Sequence, residues 1–356
     1  MKNDRRATPK PTLLKTRWRS TAALPAAGCL GCLMAAAQVA YDDPSILKNR
    51  LTIGARFGFG ITAEVRNLAP PTPTGTIYDD GFVLPDVNGG VGGQTWNWGY
   101  QSAAQVNPPF LDFHQTAGSP HTGTSGVLDG DPQGGFEILY GRELKRWSAP
   151  GRNDIVLGLE GGFGSLDIQL ENVTALAGTV TRRTDRYALG TMTPPPAPYT
   201  GAYNVAGPSL PLTPGVTLND SVNATSALDT RLRSLVLGFK LGPFLELPVY
   251  RQLTVRLSAG GAFMAALSEL ESVETLTDAA GGGLLTGRVE RQDAEEWVFG
   301  FYGQATFEYA LTDYLRLYLG GQYQYLQDVS VSGIRQEATL GLDGGYEVIT
   351  GLRLSF

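Results

Sequence analysis

The sequence predicts an all-β protein: a closed antiparallel transmembrane β-barrel of about eight strands, with short periplasmic turns and long outer loops. Three observations predict it, namely eight segments of alternating residues, an export signal, and connections that are alternately short and long. The chain has 356 residues, of which 42 % are hydrophobic and 17 % are charged. No stretch after the leader is apolar over about 18 consecutive residues, so a helical span is excluded.

Residues 1–37 are predicted to be a cleaved signal peptide. A leader rich in Lys and Arg precedes an apolar, small-residue core, and the alanines at 35–37 offer a small-x-small cleavage site. The apolar core is short and contains Pro25, which disfavours a transmembrane anchor. Residues 38–50 are then expected to form a periplasmic segment before a barrel of residues 51–356.

Both cysteines, Cys29 and Cys32, lie inside the predicted signal peptide. The mature chain therefore has no cysteine and no disulfide framework is expected. A lipoprotein cleavage box ending at Cys29 is the alternative interpretation of this leader. Removal of residues 1–37 leaves a net charge of −12, which excludes electrostatic binding of nucleic acid.

The alternation of apolar and polar residues is clearest at residues 51–66. Eight odd-numbered positions from Leu51 to Val65 are apolar, and small or polar residues lie between them. Sixteen residues in this pattern exceed an ordinary soluble strand and suit a tilted strand that crosses a bilayer. The same pattern recurs in seven further segments, at about 136–141, 155–163, 234–241, 253–265, 297–309, 315–325 and 346–356.

The connections between these segments fall into two classes. Three are short, at about residues 145–154, 248–252 and 310–313, and they alternate with four long ones, at about 67–134, 172–230, 269–294 and 328–345. This asymmetry is typical of outer-membrane barrels. The four long segments contain 18 acidic and 6 basic residues, so the outer surface is predicted to be acidic.

The polar face of the predicted strands carries charged residues that are expected to line the lumen. Eight strands leave an interior that side chains largely fill, so these charges must be paired. The register predicts that Glu246 lies opposite Arg256 and that Glu308 lies opposite Arg316. We expect a plug of salt bridges, with a gate or ion-selective path as the alternative. The predicted lumenal residues are Arg56, Glu64, Glu137, Glu160, Lys240, Glu246, Arg256, Glu308, Arg316, Glu347 and Arg353.

The last strand resembles the C-terminal signature of bacterial outer-membrane barrels. The residues that carry the resemblance are Tyr346, Val348, Leu352, Leu354 and the terminal Phe356. The resemblance covers the architecture of about residues 51–356 and is to small, eight-stranded, OmpA/OmpW-like barrels. It implies that the barrel assembly machinery reads this strand. It also implies a multi-pass position in the outer membrane of a Gram-negative-type cell, in contact with its lipid and lipopolysaccharide.

The first long loop contains the residues that could carry chemistry. Asp112-Phe113-His114 resembles the Asp-x-His element of the barrel proteases called omptins, which have ten strands and a second acidic pair. No such pair is evident in the sequence, so His114 and His121 are predicted to have no catalytic role. Trp96 and Trp98 are possible loop residues for binding a ligand by stacking.

No metal and no cofactor are predicted. Asp-rich turns near Asp79, Asp86 and Asp129 could donate oxygens to calcium, but none has the spacing of an EF-hand and turn chemistry explains them as well. With two histidines and no mature cysteine, a transition-metal site is not expected either.

The predicted function is a structural or surface-interaction role performed by the acidic outer loops, without enzymatic activity. A small porin or transport channel is the alternative, and it gains if Thr95–Tyr100 and Phe110–His114 add a hairpin to the barrel. An outer-membrane hydrolase or acyl-modifying enzyme is the second alternative. The sequence does not identify the extracellular ligand.

Overall fold

The computed structural model describes residues 48–72, 75–130, 132–148 and 154–356. The predicted signal peptide of residues 1–37 lies outside the described residues, as does the predicted periplasmic segment up to residue 47. That segment was predicted to end at residue 50, but Asn49 and Arg50 already belong to the first strand. Within the described ranges, no helix is long and apolar enough to cross a membrane.

The described residues fold almost entirely into antiparallel strands, together with two 3-10 turns at Val91–Gly93 and Ala103–Gln105. Twenty strands are present in this part of the chain, so the prediction of about eight is wrong as a total. In chain order they are β1 (Asn49–Phe59), β2 (Thr62–Asn67), β3 (Ile77–Tyr78), β4 (Gly81–Val83), β5 (Gln94–Thr95), β6 (Trp98–Tyr100), β7 (Val106–Asn107), β8 (Phe110–Ala117), β9 (Ser125–Leu128), β10 (Gln133–Trp147), β11 (Ile155–Ala188), β12 (Tyr199–Thr200), β13 (Leu210–Pro211), β14 (Val216–Tyr250), β15 (Leu253–Asp278), β16 (Leu284–Ala310), β17 (Leu315–Leu326), β18 (Val329–Ser332), β19 (Gln336–Gly341) and β20 (Tyr346–Ser355).

Eight of these strands form a ring of pairings, and each predicted segment lies in one of them. The order is β1, β10, β11, β14, β15, β16, β17 and β20, and β20 pairs with β1 in turn. The remaining ladders, β14 to β15, β15 to β16, β16 to β17 and β17 to β20, complete the ring. Every ring strand therefore has a partner on both of its edges.

The outward face of the ring strands carries exposed apolar side chains on all eight strands. Exposed Trp147, Tyr250 and Tyr309 lie toward one end of this band, and exposed Trp297 and Tyr325 lie toward the other. Soluble proteins rarely expose an apolar surface of this extent. Its members include Ile53, Phe57, Phe136, Ile138, Leu159, Leu235, Phe239, Leu241, Leu257, Phe263, Phe299, Phe301, Phe307, Leu317, Leu319 and Leu352.

Four ring strands continue far beyond the apolar band. β11, β14, β15 and β16 contain 34, 35, 26 and 27 residues. The predicted loops at 172–230 and 269–294 are therefore wrong, because most of their residues continue two β-hairpins. The outward positions there are mostly Thr, Ala and charged residues, with isolated exposed valines such as Val173 and Val289, so the regular apolar alternation ends although the pairing does not. Arg291 bridges Glu269 and Glu271 on this water-facing surface.

A four-stranded sheet packs over the inner face of these long strands. Its order is β18, β19, β2 and β9, so the predicted loop at 328–345 also contains strands. Residues of this sheet such as Val65, Val331 and Leu340 share one hydrophobic core with Leu232 and Leu270 of β14 and β15. Above the ring, the protein is therefore a two-layered β-structure with an apolar core between the layers.

Gly60 separates β1 from β2 and reverses the faces of the chain. Its φ of 70° lies in the left-handed region, which glycine adopts readily. Before it the even-numbered Arg56 is buried, and after it the odd-numbered Ala63 and Val65 are buried. The predicted single alternation over residues 51–66 is therefore wrong. Glu64 is exposed on β2 and does not line the lumen.

The first predicted loop, 67–134, is a folded unit. β8 pairs with the outer end of β11, and the short strands β3, β4, β6 and β12 form a sheet beside it. Tyr78, Trp98, Tyr100 and Phe113 are buried together with Tyr187 of β11. The sequence did not show whether this predicted outer loop is ordered; it is ordered because these aromatic residues supply a hydrophobic core of their own.

Candidate functional site

The interior of the ring is filled by ionised side chains. Of the described residues, six basic and six acidic ones line it, and only Arg316 among them is not fully buried. Ten of the eleven predicted lumenal residues are in this set, and Glu64 is not. The sequence analysis missed Arg50 and Glu143. The set comprises Arg50, Arg56, Lys240, Arg256, Arg316 and Arg353, with Glu137, Glu143, Glu160, Glu246, Glu308 and Glu347.

Glu246 and Arg256 form the centre of a first cluster, at the end of the ring where β1 begins and β20 ends. They lie directly opposite each other in the β14–β15 ladder, which confirms the predicted pairing, and their side chains are 2.9 Å apart. Arg50 donates to Glu246 at 2.7 Å, and Arg256 also binds Glu160. The Arg256 guanidinium lies 3.6 Å from the ring centroid of Phe244, a cation–π contact. Each charge in this cluster therefore has an opposite charge beside it.

Glu308 joins a second group of charges in the same layer. It forms an ion pair with Arg353, and Arg316 approaches it at 3.4 Å. The predicted direct opposition of Glu308 and Arg316 is wrong by two residues, since Glu308 lies opposite Tyr318. The turn after β16 is two residues longer than the predicted register requires. The long Arg316 side chain still reaches the carboxylate diagonally.

A second layer of paired charges lies further along the ring. Lys240 donates to Glu137 at 2.7 Å and to Gln322 at 2.5 Å. Arg56 and Glu347 form two hydrogen bonds, at 2.6 and 2.8 Å, with the paired geometry that strengthens guanidinium–carboxylate contacts. Tyr318 and Gln324 also donate to these carboxylates. Neutral donors therefore complete the layer. They were not predicted, because a Tyr or Gln on the polar face of a strand does not by itself indicate an ion-pair network.

The inner face changes from charged to apolar directly above the second layer. Leu166, Val236, Met264 and Leu326 begin the dry core there. The cavity at this junction has a volume of about 20 Å³, which is room for about one water molecule. The interior is thus closed twice, first by paired charges and then by a packed apolar core.

The residues of the predicted assembly signal lie on the outward side of the last strand. Tyr346 and Leu352 are exposed, Val348 and Leu354 are half-buried, and the half-buried Phe356 follows the strand end. Buried Glu347 and Arg353 alternate with them. The predicted alternation of the last strand is therefore confirmed, whereas recognition by assembly machinery stays a prediction.

The two tryptophans predicted as a binding platform are in the folded unit of the first loop. Trp98 is fully buried, and its Nε1 donates to the carbonyl of Pro208 at 2.8 Å. Trp96 is half-buried. An exposed platform of both rings is therefore wrong, because Trp98 packs between Tyr100 and Tyr199.

His114 contacts a carboxylate, although not the one in its own motif. Its Nδ1 lies 2.6 Å from Oδ2 of Asp80, whereas Asp112 forms an ion pair with Arg186 at 3.4 Å. Both side chains of the Asp80–His114 pair are about one-fifth to one-quarter exposed. His121 is buried, and its Nε2 lies 3.4 Å from the carbonyl of Ser226.

The aspartates considered for calcium take part in local hydrogen bonds. Asp79 accepts from the Thr116 amide at 2.6 Å, and Asp86 accepts from the amides of Asn88 and Gly90. Asp131 lies outside the described residues. Within those residues, no group of three His, Cys, Asp or Glu side chains could hold a metal ion.

A buried tyrosine pair joins the folded unit to β11. The Tyr78 hydroxyl donates to Asp185 at 2.8 Å and lies 2.8 Å from the Tyr187 hydroxyl. Burial, with these hydrogen bonds, raises the pKa of Tyr78 far above its usual range. Burial also raises the pKa of Tyr187. Both groups therefore stay protonated and keep the first loop fixed on the strand.

Comparison with known proteins identifies neighbours among outer-membrane proteins. No family model and no curated protein sequence matches the chain. Among solved structures, the outer membrane protease OmpT from Escherichia coli is 11 % identical, with a TM-score of 0.28, and covers 87 % of this chain and 97 % of its own. A Pseudomonas aeruginosa FadL homologue is 9 % identical, with a TM-score of 0.17, and covers 90 % of this chain and 94 % of its own.

A third neighbour is the transport unit of the autotransporter AIDA-I from Escherichia coli. It is 10 % identical, with a TM-score of 0.15, and covers 92 % of this chain and 98 % of its own. The three neighbours differ in role, and all their TM-scores are below 0.5. The function is therefore argued from this chain's own residues.

Removal of one partner from the second charge layer is expected to destabilise the ring. In Lys240→Met the Glu137 carboxylate stays buried without its cation, which costs about 3–5 kcal/mol. The double variant Glu137→Gln/Lys240→Met is expected to recover most of this loss. Urea unfolding of the protein refolded in lipid measures both effects.

The control for this pair is Arg291→Ala, which removes an exposed ion pair on the extended strands. Its loss is expected to stay below about 1 kcal/mol, because water screens exposed pairs. Equal stability losses in Lys240→Met and Arg291→Ala would contradict a buried, desolvated charge layer.

Proposed function

We propose that this chain is a bacterial outer-membrane protein whose ring of eight strands crosses the bilayer as a closed barrel. In this proposal the lumen is blocked, and the protein has a structural or surface-interaction role. That role is performed by its extension, which consists of the parts of β11, β14, β15 and β16 beyond the apolar band and the sheet of β18, β19, β2 and β9. The observation that carries the proposal is the ring itself, which is apolar and exposed outside and filled with paired charges inside. This combination suits a lipid exterior and a narrow barrel.

The height of the apolar band supports a transmembrane position. On β16 the band extends from Trp297 to Tyr309. Thirteen strand residues at about 3.4 Å each span roughly 30 Å when tilted by about 40°. A hydrocarbon core of about 30 Å matches this height. The exposed aromatic residues at both ends of the band then lie at the two interfaces.

The position of the termini supports the orientation. The first and last ring strands begin and end in the layer that contains Arg50 and Arg353. The long hairpins leave the band at the opposite end. With the termini in the periplasm, the extension and the folded first loop lie outside the cell. Lipid and lipopolysaccharide are then its immediate neighbours, and the last strand is available to the barrel assembly machinery.

The two closures of the interior argue against the channel alternative. Lys240, Arg56 and their carboxylate partners occupy the cross-section of the ring, and an apolar core follows. An ion in this path would have to displace paired charges and then enter a dry interior, which is unfavourable. Among the described residues, the first loop also adds no hairpin to the ring, because β8 pairs with the outer end of β11 and with β7.

A hydrolase is a second candidate because of the Asp80–His114 contact. A carboxylate on Nδ1 orients an imidazole so that Nε2 can accept a proton from water. Within the described residues, Nε2 of His114 has no hydrogen-bond partner. Within the described residues, no Ser or Cys side chain is hydrogen-bonded to the His114 imidazole, so the chemistry would be activation of water.

A closed barrel is expected to conduct no ions across a planar bilayer. The refolded mature protein is expected to give no stepwise single-channel current, because both closures remain in place. Insertion is checked separately by the heat-dependent mobility shift of folded barrels and by protease protection of the ring. Stable current steps from inserted protein would contradict the blocked lumen.

If the apolar band meets lipid, an Arg placed within the band should lower the free energy of unfolding, and an Arg placed beyond it should not. Phe301→Arg, in the band of β16, is expected to lower the free energy of unfolding in lipid by about 2–4 kcal/mol. Val289→Arg is the matched control, since Val289 is exposed on the same face of the same strand beyond the band. Its effect is expected to be within about 0.5 kcal/mol. Equal effects would show that the band does not meet lipid.

The hydrolase candidate predicts an activity that depends on His114. Fluorogenic peptide and ester substrates would be supplied to the inserted protein and to His114→Ala. A base contributes about 10²–10⁴-fold, so the variant should lose at least about 100-fold. Asp80→Asn should lose activity as well. Wild-type rates equal to those of His114→Ala would remove this candidate.

A further inference from the structure

We propose that the extracellular extension binds an extended, uncharged peptide strand in a slot between β9 and β11. The slot is a cleft of about 290 Å³ that opens where these two strands diverge. Its walls include Asn67, Ser125, Gly126, Thr174, Leu176 and Gln336. The inference rests on the proposed function, because a partner strand must reach the slot from outside the cell.

The first observation is a gap in the pairing of β11. One edge of this strand pairs continuously with β14 from Val156 to Arg186. The other edge pairs with β10 up to Asp167 and with β8 from Thr181 onward. Between these two ladders, the described residues form one isolated bridge on this edge, Asp129 to Glu171. Residues 173–179 therefore have no strand on that edge among the described residues.

The alternation of the ladder shows which backbone groups face the gap. Glu171 donates its amide to the carbonyl of Asp129, and Leu189 donates to Pro109 on the same side. Odd-numbered residues of β11 thus point their backbone groups away from β14, since an antiparallel ladder alternates strictly. Val173, Ala175 and Ala177 accordingly present amides and carbonyls along the slot that have no backbone partner within the described part of the chain.

The second observation is the facing edge of β9. This strand pairs with β2 on one side, where Asn67 donates its amide to Thr124. By the same alternation, Ser125 and Val127 point their backbone groups toward β11. The side chain of Asn172 already donates to the carbonyl of Val127 at 3.0 Å. Beyond this contact and the Asp129–Glu171 bridge, the edges of β9 and β11 that face each other across the cleft have no ladder partner among the described residues.

The third observation is the exposure of the inner face of β11 beside the slot. Inward residues of this strand from Val156 to Leu170 are buried or half-buried, but Thr174 and Leu176 are exposed. The sheet that covers the rest of the inner face does not reach them. A ligand in the slot would cover both side chains and complete the layer.

The fourth observation is an unpaired polar atom at the base of the cleft. Gln336 is 3 % exposed, and its amide nitrogen donates to Asn67 at 2.7 Å and to Thr230 at 3.0 Å. Its Oε1 is buried and has no hydrogen-bond partner. A buried acceptor without a partner is unfavourable. A ligand N–H that donated to this oxygen would therefore be stabilised.

These four observations together define the ligand class. Backbone edges on both sides of a slot bind an extended chain by strand addition, in which the main chain supplies the hydrogen bonds. The walls carry amide, hydroxyl and apolar side chains and one histidine, His121, without Lys, Arg, Asp or Glu. The segment that enters is therefore uncharged, and small residues fit beside Gly126.

The test uses the full mature chain folded in detergent micelles, so that binding does not depend on membrane orientation. A phage-displayed library of random nonapeptides is selected on this protein, and the enriched peptides are synthesised. We expect uncharged peptides with alternating β-branched residues. Their binding should slow amide hydrogen exchange at residues 173–179 of β11 and at β9.

Two variants locate the binding. Ala175→Pro removes one free amide from the edge of β11 and disrupts no existing ladder bond, which an edge position tolerates. Ala175→Thr keeps the amide and is its control. Gly126→Phe fills the slot, since a side chain at Gly126 meets open space. Gly287→Phe, at another glycine with open space, is the control for bulk.

We expect Ala175→Pro and Gly126→Phe each to weaken peptide binding at least about tenfold, with the two controls unchanged. Peptides that bind Ala175→Pro and Gly126→Phe as well as the wild type would overturn the inference, as would selection that enriches no peptide on folded protein. Neither result affects the proposed barrel, which is tested by conductance and by Phe301→Arg.

Discussion

Side chains fill the interior of an eight-stranded ring, and in this ring those side chains are charged, so each buried charge needs a partner. The rest of this structure depends on that constraint. Six basic and six acidic side chains meet it by pairing, and neutral groups complete the shells of the carboxylates: Tyr318 donates to Glu137, and Gln322 and Gln324 donate to Glu347. A buried ion pair contributes little net stability, because desolvation offsets attraction. It does make the register strict, since a slip of one strand would leave several charges unpaired.

The interior has two chemistries along one continuous set of strands. β14 contributes Glu246 and Lys240 to the charged layers and Val236 and Leu232 to the apolar core, all on one face. The change occurs where the short sheet of β18, β19, β2 and β9 begins to cover the strands. Within the ring, polar side chains meet polar side chains, and beyond it one apolar sheet meets another. Gly60 makes this possible, because it turns the apolar face of β2 inward.

The sequence predicted the elements whose signal is local. Alternation identified a segment in every ring strand, ten charged inner residues and the Glu246–Arg256 opposition. Arg50 and Glu143 were missed because the predicted segments ended one or two residues short of them. The face reversal at Gly60 was missed because apolar residues continue on odd positions through it. The extended hairpins were missed because a strand in water on its outer side needs no apolar residues there, so only pairing reveals it.

The extended hairpins also determine how far the first loop stands from the ring. About 19 residues of β14 lie between Val216 and Ser234, which is roughly 60 Å of strand at about 3.3 Å per residue. A flexible chain of that length has an average span of only about 25 Å. The paired strands therefore form a rigid spacer between the ring and the first loop. In the proposed orientation they hold the aromatic unit around Trp98 beyond the lipid headgroups and the sugars attached to them.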